Sequence, residues 1–494
     1  MPRPLLSSAA GQLLWCWWTL ACYLTLFALI AFPFYKGILL GLFPVAAGAL
    51  VAVSPKFIPR GWRRYLAAGF SRMVSRKWLL TVALLGFLVR VPLIIFPAIP
   101  HSDHRTYYDL GIQLASGLGY GDSILYPPGQ PAWLALCIFL LGKNIHVLVF
   151  VENLLYVLAI LVIYFSIRRH SETAARWGSL IVAFFPSLVI YSGTLGHENT
   201  SVFTNVGVMA LFLIAASAQG SSKIGNWIVL GLFVGLAAFI RPVFLATPVV
   251  LSLVLWIWGK QINLIIRWVL ITIAAMAVVI SPWVIRNYEM FGQFTLISTN
   301  FGSVLLSANA AKSDGIYMNT DPIGAELNPI AQDHYQRRLA IEAIWSHKSV
   351  FMQRMVKRLV FMWGTDTSIL DFYLGDNPES GITVLRATLS MLIQSAWSWF
   401  VVAWVVAATK RPPWRRQHEL FEIWCACWIG LVWVLHLIVE PHSRHHLIYI
   451  PMLAIVFLPD YWTWVMEESP VRRIGSPSLG KTEFDGAATP TTGT

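Results

Sequence analysis

Residues 77–108 read KWLLTVALLGFLVRVPLIIFPAIPHSDHRTYY. The apolar run at 78–98 is long enough to cross a bilayer as a helix, because a helix rises about 1.5 Å per residue and the hydrocarbon core is about 30 Å thick. The five residues at 101–105 are too polar to enter lipid. This change predicts a membrane-spanning helix that carries one carboxylate, Asp103, to the membrane surface.

The composition of the whole chain is that of a helical membrane protein. Of its 494 residues, 57% are hydrophobic and 12% are charged, whereas soluble domains carry about 25% charged residues. Its apolar runs of about 17–25 residues predict helices and not the ten-residue strands of a barrel. The net charge of +12 comes from basic residues in short loops between these runs. Such loops report membrane orientation, so we exclude nucleic acid as a partner.

The basic loops predict an orientation for the chain. Seven cations without a carboxylate lie between Lys56 and Lys77, which indicates a cytoplasmic loop and places Asp103 on the outer face. The same rule places both termini inside and predicts an all-α polytopic membrane protein with about twelve transmembrane helices and a mixed extracytoplasmic loop region. The predicted spans are 13–32, 37–53, 78–98, 146–167, 177–191, 202–218, 227–240, 243–258, 264–284, 384–408, 421–439 and 447–465.

These spans predict five regions. Residues 1–77 hold two helices and the basic loop, and 78–284 form a catalytic transmembrane module whose first outer loop is 99–145. Residues 285–383 form a large extracytoplasmic region, 384–466 the last helices, and 467–494 a cytoplasmic tail whose composition indicates disorder.

Four local structures are predicted in addition. Residues 107–118 form a short helix, and the prolines at 127–131 exclude helix there, which leaves 131–141 as a short juxtamembrane or re-entrant piece. Residues 62–74 and 354–364 are amphipathic helices at the membrane surface. Trp15, Trp17 and Trp18 are typical of residues at the membrane–water interface.

Two carboxylates are candidates for chemistry on the outer face. Asp103 could take a proton from an acceptor hydroxyl while a sugar leaves a phosphate; the alternative is a solvated acid at a helix start. Glu198 could orient the acceptor, or it could be an ordinary helix-start acid. Arg241 interrupts an apolar run, which suits bidentate phosphate binding, although a side chain reaching back to the interface would look the same. Arg286 and Arg444 are further phosphate candidates.

Several motifs resemble those of known enzymes in both order and spacing. Asp103 is followed by Tyr107, Ala115, the Gly-Leu-Gly-Tyr at 117–120 and the Tyr-Pro-Pro-Gly-Gln-Pro at 126–131. Later stretches are the glycine helix ending in Arg241-Pro242, the Pro-Trp-Val-Ile-Arg-Asn-Tyr at 282–288, and Arg444-His445-His446 with Pro451. Together, over about residues 78–458, they resemble GT-C membrane glycosyltransferases of the protein O-mannosyltransferase and aminoarabinose–lipid A transferase type, which is like bacterial family 39.

This resemblance implies a polyprenyl-phosphate sugar as donor and a glycan, lipid or protein as acceptor. Transfer takes place on the outer face of a bacterial inner membrane, with Asp103 as base, Glu198 as second carboxylate and the arginines at the donor phosphate. His104, Tyr107 and Tyr126 are then candidates for acceptor or sugar binding. His104 stands where relatives often have Glu, and Tyr126 where aminoarabinose transferases carry Lys.

Other functions stay open from the sequence. No metal ligands are assigned, because the histidines at 442–446 lack a metal-binding helical spacing, but a divalent metal ion stays open as a cofactor. A transporter or flippase of lipid-linked saccharides would show inverted repeats and mid-span charges, and we find neither. A polymerase or ligase acting on the same face is a third alternative.

Overall fold

The computed structural model describes residues 9–36, 41–57, 59, 61–62, 75–220, 222–375, 380–412 and 418–467. Within these ranges the chain forms helices and loops, and no β-strand occurs. The all-α prediction is therefore confirmed. The predicted surface helix at 62–74, except for Trp62, and the predicted tail after Glu467 lie outside the described residues.

The first half of the chain contains eleven described α-helices. They are α1 (Ala9–Tyr35), α2 (Leu42–Val53), α3 (Ser75–Leu88), α4 (Val91–Ile95), α5 (Ser102–Ala115), α6 (Gly129–Leu141), α7 (Ile145–Ile167), α8 (Glu172–Phe184), α9 (Pro186–Tyr191), α10 (His197–Ser217) and α11 (Ser222–Ile240).

The second half begins with a 3-10 turn at Pro242–Ala246. Its described α-helices are α12 (Thr247–Ile257), α13 (Ile262–Phe291), α14 (Phe301–Asn309), α15 (Pro329–Ser346), α16 (Lys348–Trp363), α17 (Ile369–Leu374), α18 (Ser380–Lys410), α19 (Leu420–Ile438), α20 (Arg444–Leu447) and α21 (Ile450–Met466). The predicted region boundary at 284–285 falls inside α13, and the one at 383–384 falls inside α18.

The lengths of the apolar helices support a multi-pass membrane protein. Among the described residues, eight helices are long and apolar enough to cross a membrane, and four more are apolar but shorter. The shorter ones are Leu42–Lys56, Gly129–Leu141, Pro242–Ile257 and Ile450–Met466. Spanning several times is thus confirmed by length and composition, and the number twelve stays a prediction.

The predicted span 177–191 is broken at Pro186, and one buried arginine compensates for the lost hydrogen bonds. Pro186 has no N–H, so the carbonyl of Val182, four residues earlier, loses its helical partner. Arg90 donates to this carbonyl over 2.7 Å and to that of Ala183 over 2.6 Å. Arg90 itself lies in the break between α3 and α4 and is 1% exposed. A cation at the carboxyl end of α8 also suits the helix dipole.

Two predictions around the first outer loop are wrong. The helix predicted at 107–118 begins five residues earlier, at Ser102, so Asp103 lies in its first turn and not in the preceding loop. The prolines at 127–131 do not exclude helix, because α6 starts at Gly129 and includes Pro131. Proline is tolerated in the first turn of a helix, where backbone N–H groups have no partner within the helix.

The predicted surface helix at 354–364 is also placed differently. It exists as α16, but its carboxyl end packs against α1 and α19 inside the bundle. Trp363 is 1% exposed and stacks on Trp433 with ring centroids 4.8 Å apart. Arg358 can be buried there because it donates to the carbonyls of Ala308, Gly315 and Leu437. Its charge therefore has partners inside the protein, which composition could not reveal.

Several tryptophan side chains are buried in the core of the helix bundle, although the sequence predicted such residues at the membrane–water interface. Trp15 and Trp18 are 1% and 3% exposed, so placing these two at the membrane–water interface was wrong. Trp15 stacks on His418 with ring centroids 3.7 Å apart, and Trp18 packs against Trp404. Large aromatic rings contribute much dispersion energy when they pack against one another.

Candidate active site

The candidate site lies where the first turns of three helices meet. Asp103 is in the first turn of α5, Glu198 is in the first turn of α10, and Arg444 begins α20. The start of α5 is unusual, because Ser102 has a φ of 51°. Few residues other than glycine adopt this left-handed conformation, and strain of this kind is often found at functional sites.

Asp103 is held through both of its carboxylate oxygens. The Tyr126 hydroxyl donates to Oδ1 over 3.0 Å, and Arg444 Nη2 donates to Oδ2 over 2.8 Å. Burial by itself would raise the pKa of Asp103. The charge and hydrogen bond of Arg444, together with the hydrogen bond of Tyr126, outweigh burial and hold this pKa below its usual value. Asp103 is therefore a carboxylate at neutral pH.

Arg444 connects the two candidate carboxylates. Its Nη2 pairs with Asp103, and its Nε lies 3.6 Å from Glu198 Oε1. The guanidinium also lies over the ring of Phe372, 4.5 Å from the centroid. Nε and Nη1 are buried and make no hydrogen bond with the described residues. Donor capacity thus remains for a further acceptor.

Glu198 is fully buried, and its neighbours stop just beyond hydrogen-bond distance. Its oxygens lie 3.6 Å from Arg444 Nε, 3.6 Å from His197 Nε2 and 4.0 Å from His104 Nε2. The side chain is 0% exposed, and the Tyr191 hydroxyl lies near enough to Glu198 and Arg444 to interact with both. A buried carboxylate costs several kcal/mol unless it has partners, so the nearby cation of Arg444 is needed to offset the burial of Glu198.

His104 is a buried neutral imidazole. Burial is the largest effect on it and lowers its pKa to about 4. Its Nε2 lies 3.2 Å from the Tyr191 hydroxyl, and its ring lies 4.9 Å from that of Phe372. Gly196 leaves it room, because a Cβ there would lie 2.5 Å from His104 Nε2 and 2.7 Å from Glu198 Oε2. The His104 side chain is therefore buried next to Gly196 and Glu198.

The two candidate tyrosines differ in their access to a ligand. Tyr107 is 3% exposed and packs edge-on against Tyr126 and His197. Tyr126 is partly exposed and has its hydroxyl on Asp103. Of the two, only Tyr126 is partly accessible from outside the protein.

The other candidate arginines occupy different places. Arg241 precedes the 3-10 turn, and its buried Nη1 makes no hydrogen bond with any described residue. It lies close enough to His445 for its charge to contribute to the lowered pKa of that imidazole, of which burial is the largest cause. Arg286 instead donates to the Gly121 carbonyl and to Asn287 Oδ1 and stacks on Trp283. The structure thus brings Arg241 near the site, whereas the contacts of Arg286 fix the turn at Gly121.

The histidines after α19 contact other side chains of the protein. Among the described residues, no group of three or more His, Cys, Asp or Glu side chains could hold a metal ion. His446 is buried against Asp366, with Nε2 3.1 Å from Oδ1. His445 Nδ1 lies 3.1 Å from His436 Nε2.

Two residues of the site were missed from the sequence. Tyr191 is the hydroxyl partner of His104, and Phe372 lies under both Arg444 and His104. Tyr191 stands at the end of a predicted span, a position that could have drawn attention to it. Phe372 has no local signal, since α17 meets the site only in the folded protein.

Comparisons with known proteins agree with the resemblance seen in the motifs. Residues 126–285 match the family model for dolichyl-phosphate-mannose-protein mannosyltransferase. This range contains Tyr126, Glu198 and Arg241, whereas Asp103 and Arg444 lie outside it. The predicted resemblance to GT-C glycosyltransferases of the O-mannosyltransferase and aminoarabinose transferase type is confirmed over these residues.

One curated relative and two solved structures illustrate the similarity. Undecaprenyl phosphate-alpha-4-amino-4-deoxy-L-arabinose arabinosyl transferase 2 of Pseudomonas fluorescens is 27% identical over 148 residues, covering 29% of this chain and 27% of the relative. The Archaeoglobus fulgidus oligosaccharyltransferase matches 79% of this chain and 51% of its own at 14% identity, with a TM-score of 0.47. ArnT from Cupriavidus metallidurans bound to undecaprenyl phosphate matches 80% and 77% at 13% identity, with a TM-score of 0.42. The curated alignment spans about a quarter of the relative's length.

Proposed function

We propose that the protein is an integral-membrane glycosyltransferase. It transfers a sugar from a polyprenyl-phosphate donor to a glycan, lipid or protein acceptor on the extracytoplasmic face of a bacterial inner membrane, with both termini in the cytoplasm. The observation that carries this proposal is the pairing of Asp103 with Arg444 and Tyr126 beside the buried Glu198. The match of residues 126–285 to a sugar-transferase family model supports the same reaction class.

Asp103 is the proposed general base. The acceptor oxygen attacks C1 of the sugar, its proton passes to Asp103, and the electron pair of the C1–O bond goes to the leaving phosphate. A single displacement of this kind inverts the configuration at C1. Since the pKa of Asp103 is held low, it is a weak base, and proton transfer is expected late, when the new C–O bond has largely formed.

Arg241 is the proposed partner of the donor phosphate. Its buried Nη1 has donor capacity that no described residue uses, and the phosphate gains a second negative charge as the sugar leaves. Fixed donors aimed at developing charge lower the barrier of such a step. Arg444 was a phosphate candidate as well, but its contacts with two carboxylates favour a role in holding Asp103 ionised.

The remaining candidates take supporting roles in this proposal. Glu198 orients the acceptor, and Tyr126 contacts both Asp103 and the acceptor or the sugar.

Reconstitution into liposomes tests the proposed activity. Purified protein is supplied with a series of labelled polyprenyl-phosphate sugars and envelope extract as acceptor, and both released polyprenyl phosphate and labelled acceptor are measured. We expect both products to appear together with one of the donors. Movement of donor across the bilayer without either product would contradict the proposal and favour the flippase. Growth of a polymer from lipid-linked oligosaccharide alone would favour the polymerase.

A further inference from the structure

A second polar cluster lies behind the candidate site, between α6, α7 and α10. Gln130 Nε2 donates to Glu152 Oε1 over 3.1 Å and to the Leu195 carbonyl over 3.3 Å. Trp133 Nε1 donates to the same Glu152 oxygen over 3.1 Å. The Thr200 hydroxyl donates to Gln130 Oε1. Three separate segments are therefore joined through one amide side chain.

Glu152 lies inside the predicted span 146–167, so the expectation that no charge occurs within a span is wrong at this position. It lies seven residues after the start of α7, which is apolar enough on average and long enough to cross a membrane. Its side chain is 0% exposed, and Oε2 makes no hydrogen bond with the described residues. A polar group buried in this way costs free energy, and ionisable residues within spans are usually functional. None of the proposed catalytic steps uses Glu152.

The cluster is connected to both sides of the candidate site. Gln130 follows Tyr126 by four residues, at the start of α6. Leu195 directly precedes Gly196, and Thr200 follows Glu198 by two residues in the first turn of α10. The backbone before α6 and the backbone around Glu198 are therefore fixed relative to each other by the contacts of Gln130. Glu152 in turn fixes the amide of Gln130.

We infer that Glu152 is a positioning residue. By fixing the side chain of Gln130, it sets the distance between the Tyr126–Asp103 pair on one side of the site and Glu198 on the other. The inference rests on the proposed function for its kinetic consequence, but its structural consequence does not depend on any substrate. Loss of the Glu152 acceptor leaves one N–H of the buried Gln130 amide and the N–H of the partly buried Trp133 without this partner, while the other Gln130 N–H still faces the Leu195 carbonyl. Gln130 must then rotate or take up water, and the Leu195 and Thr200 contacts change with it.

Two substitutions separate the hydrogen-bonding role from the charge. Glu152→Gln keeps an acceptor oxygen at the position of Oε1, whereas Glu152→Leu removes it at similar volume. Thr200→Val removes the hydrogen bond from Thr200 to Gln130, and Thr272→Val is the matched control. The Thr272 hydroxyl is buried but bonds only to the Trp268 carbonyl of its own helix, α13.

Hydrogen exchange measures the structural consequence without substrate. In the full-length protein in nanodiscs, we expect Glu152→Leu and Thr200→Val to speed exchange at residues 195–200 and at the non-proline amides of 126–130, with α13 and α19 unchanged. Glu152→Gln and Thr272→Val should leave residues 126–130 and 195–200 as in wild type. Unchanged exchange at both segments in Glu152→Leu would overturn the inference whether or not the protein has transferase activity.

Steady-state kinetics measures the functional consequence. Misplacement of a reacting group by about 1 Å can cost roughly 100-fold in rate, so we expect Glu152→Leu to lower kcat by that order with little change in donor KM. Glu152→Gln should keep kcat at the wild-type value. Equal losses in the Gln and Leu variants would mean that charge is needed and would contradict positioning by hydrogen bonds. An inactive wild type with the expected exchange pattern would instead refute only the proposed function.

Discussion

Asp103 shows how a partly buried carboxylate can stay ionised. Each of its oxygens accepts one hydrogen bond, from Tyr126 and from Arg444. The cation and the two donors outweigh burial, so the pKa of Asp103 lies below its usual value of about 4. A depressed carboxylate pKa stabilises the folded state above the unfolded-state pKa, and that contribution is lost as pH falls through the folded-state pKa.

The pH dependence of turnover follows from this balance. Between pH 7 and pH 5 we expect no loss of kcat/KM from protonation of Asp103. Arg444→Gln removes the charge but keeps the burial, so the pKa of Asp103 rises and an acidic limb appears in this range. The measurement is kcat/KM against pH for both proteins.

Glu440 supplies the necessary control for that profile. Burial is the largest effect on it and raises its pKa to about 7. A limb near neutral pH in wild type that disappears in Glu440→Gln would therefore belong to Glu440. A wild-type limb above pH 5 that persists in Glu440→Gln would contradict the assignment of a low pKa to Asp103.

Gly196 gives a steric test of the same site. A Cβ at this position would fall 2.5 Å from His104 Nε2, closer than atoms of a packed side chain allow. We expect Gly196→Ala to displace His104 or Glu198 and to lower kcat about 100-fold. Gly225→Ala in α11 is the matched control, because its Cβ would meet nothing within 4 Å. Equal activity of Gly196→Ala and Gly225→Ala would show that the close packing of His104 and Glu198 against Gly196 is not required for turnover.

At the scale of elements, buried arginines connect helix ends that the sequence shows as separate. Arg358 of α16 donates to Ala308 and Asn309 at the end of α14 and to Leu437 and Ile438 at the end of α19. The last carbonyls of a helix lack intrahelical partners, and a cation there suits the helix dipole. The protein thus uses one side chain to join three helices.

Removing this arginine should cost stability. Arg358→Met leaves several buried carbonyls without a donor, each worth about 1–3 kcal/mol, so we expect a loss of at least about 3 kcal/mol in the free energy of unfolding. Unfolding in detergent titrations measures it. Arg338→Met is the control, because Arg338 is 66% exposed and its contact with Glu342 is 3.9 Å long. Equal stability of the two variants would argue against helix capping by Arg358.

The elements also show how far the sequence could be interpreted. Apolar run length predicted α1, α7, α10 and α19 within a few residues, because in lipid the backbone must satisfy its own hydrogen bonds. The start of α5 and the burial of α16 depend on partners far along the chain, such as Arg444 and Leu437. Hydropathy cannot report such contacts, and for the same reason Tyr191 and Phe372 were missed.

For the whole molecule, the sidedness of the membrane is the property that follows from charge alone. The basic loops place residues near Arg169 inside and residues 285–383 outside. In a variant without native cysteines, we expect Lys312→Cys to react with an impermeant maleimide in intact cells and Arg169→Cys to react only after lysis. Both positions are exposed. Reaction of position 169 in intact cells, or protection of position 312, would reverse the predicted orientation.

The role of Asp103 as general base is measured most directly by comparing sugar transfer by reconstituted wild type and Asp103→Asn. Asparagine keeps the size of the side chain but cannot accept the acceptor proton. General base catalysis typically contributes about 100- to 10,000-fold, so we predict a loss of kcat in this range, with donor KM nearly unchanged. The substitution also removes the ion pair with Arg444, so kcat is compared at a temperature where both proteins are folded. Turnover of Asp103→Asn at the wild-type rate would show that Asp103 is not the general base.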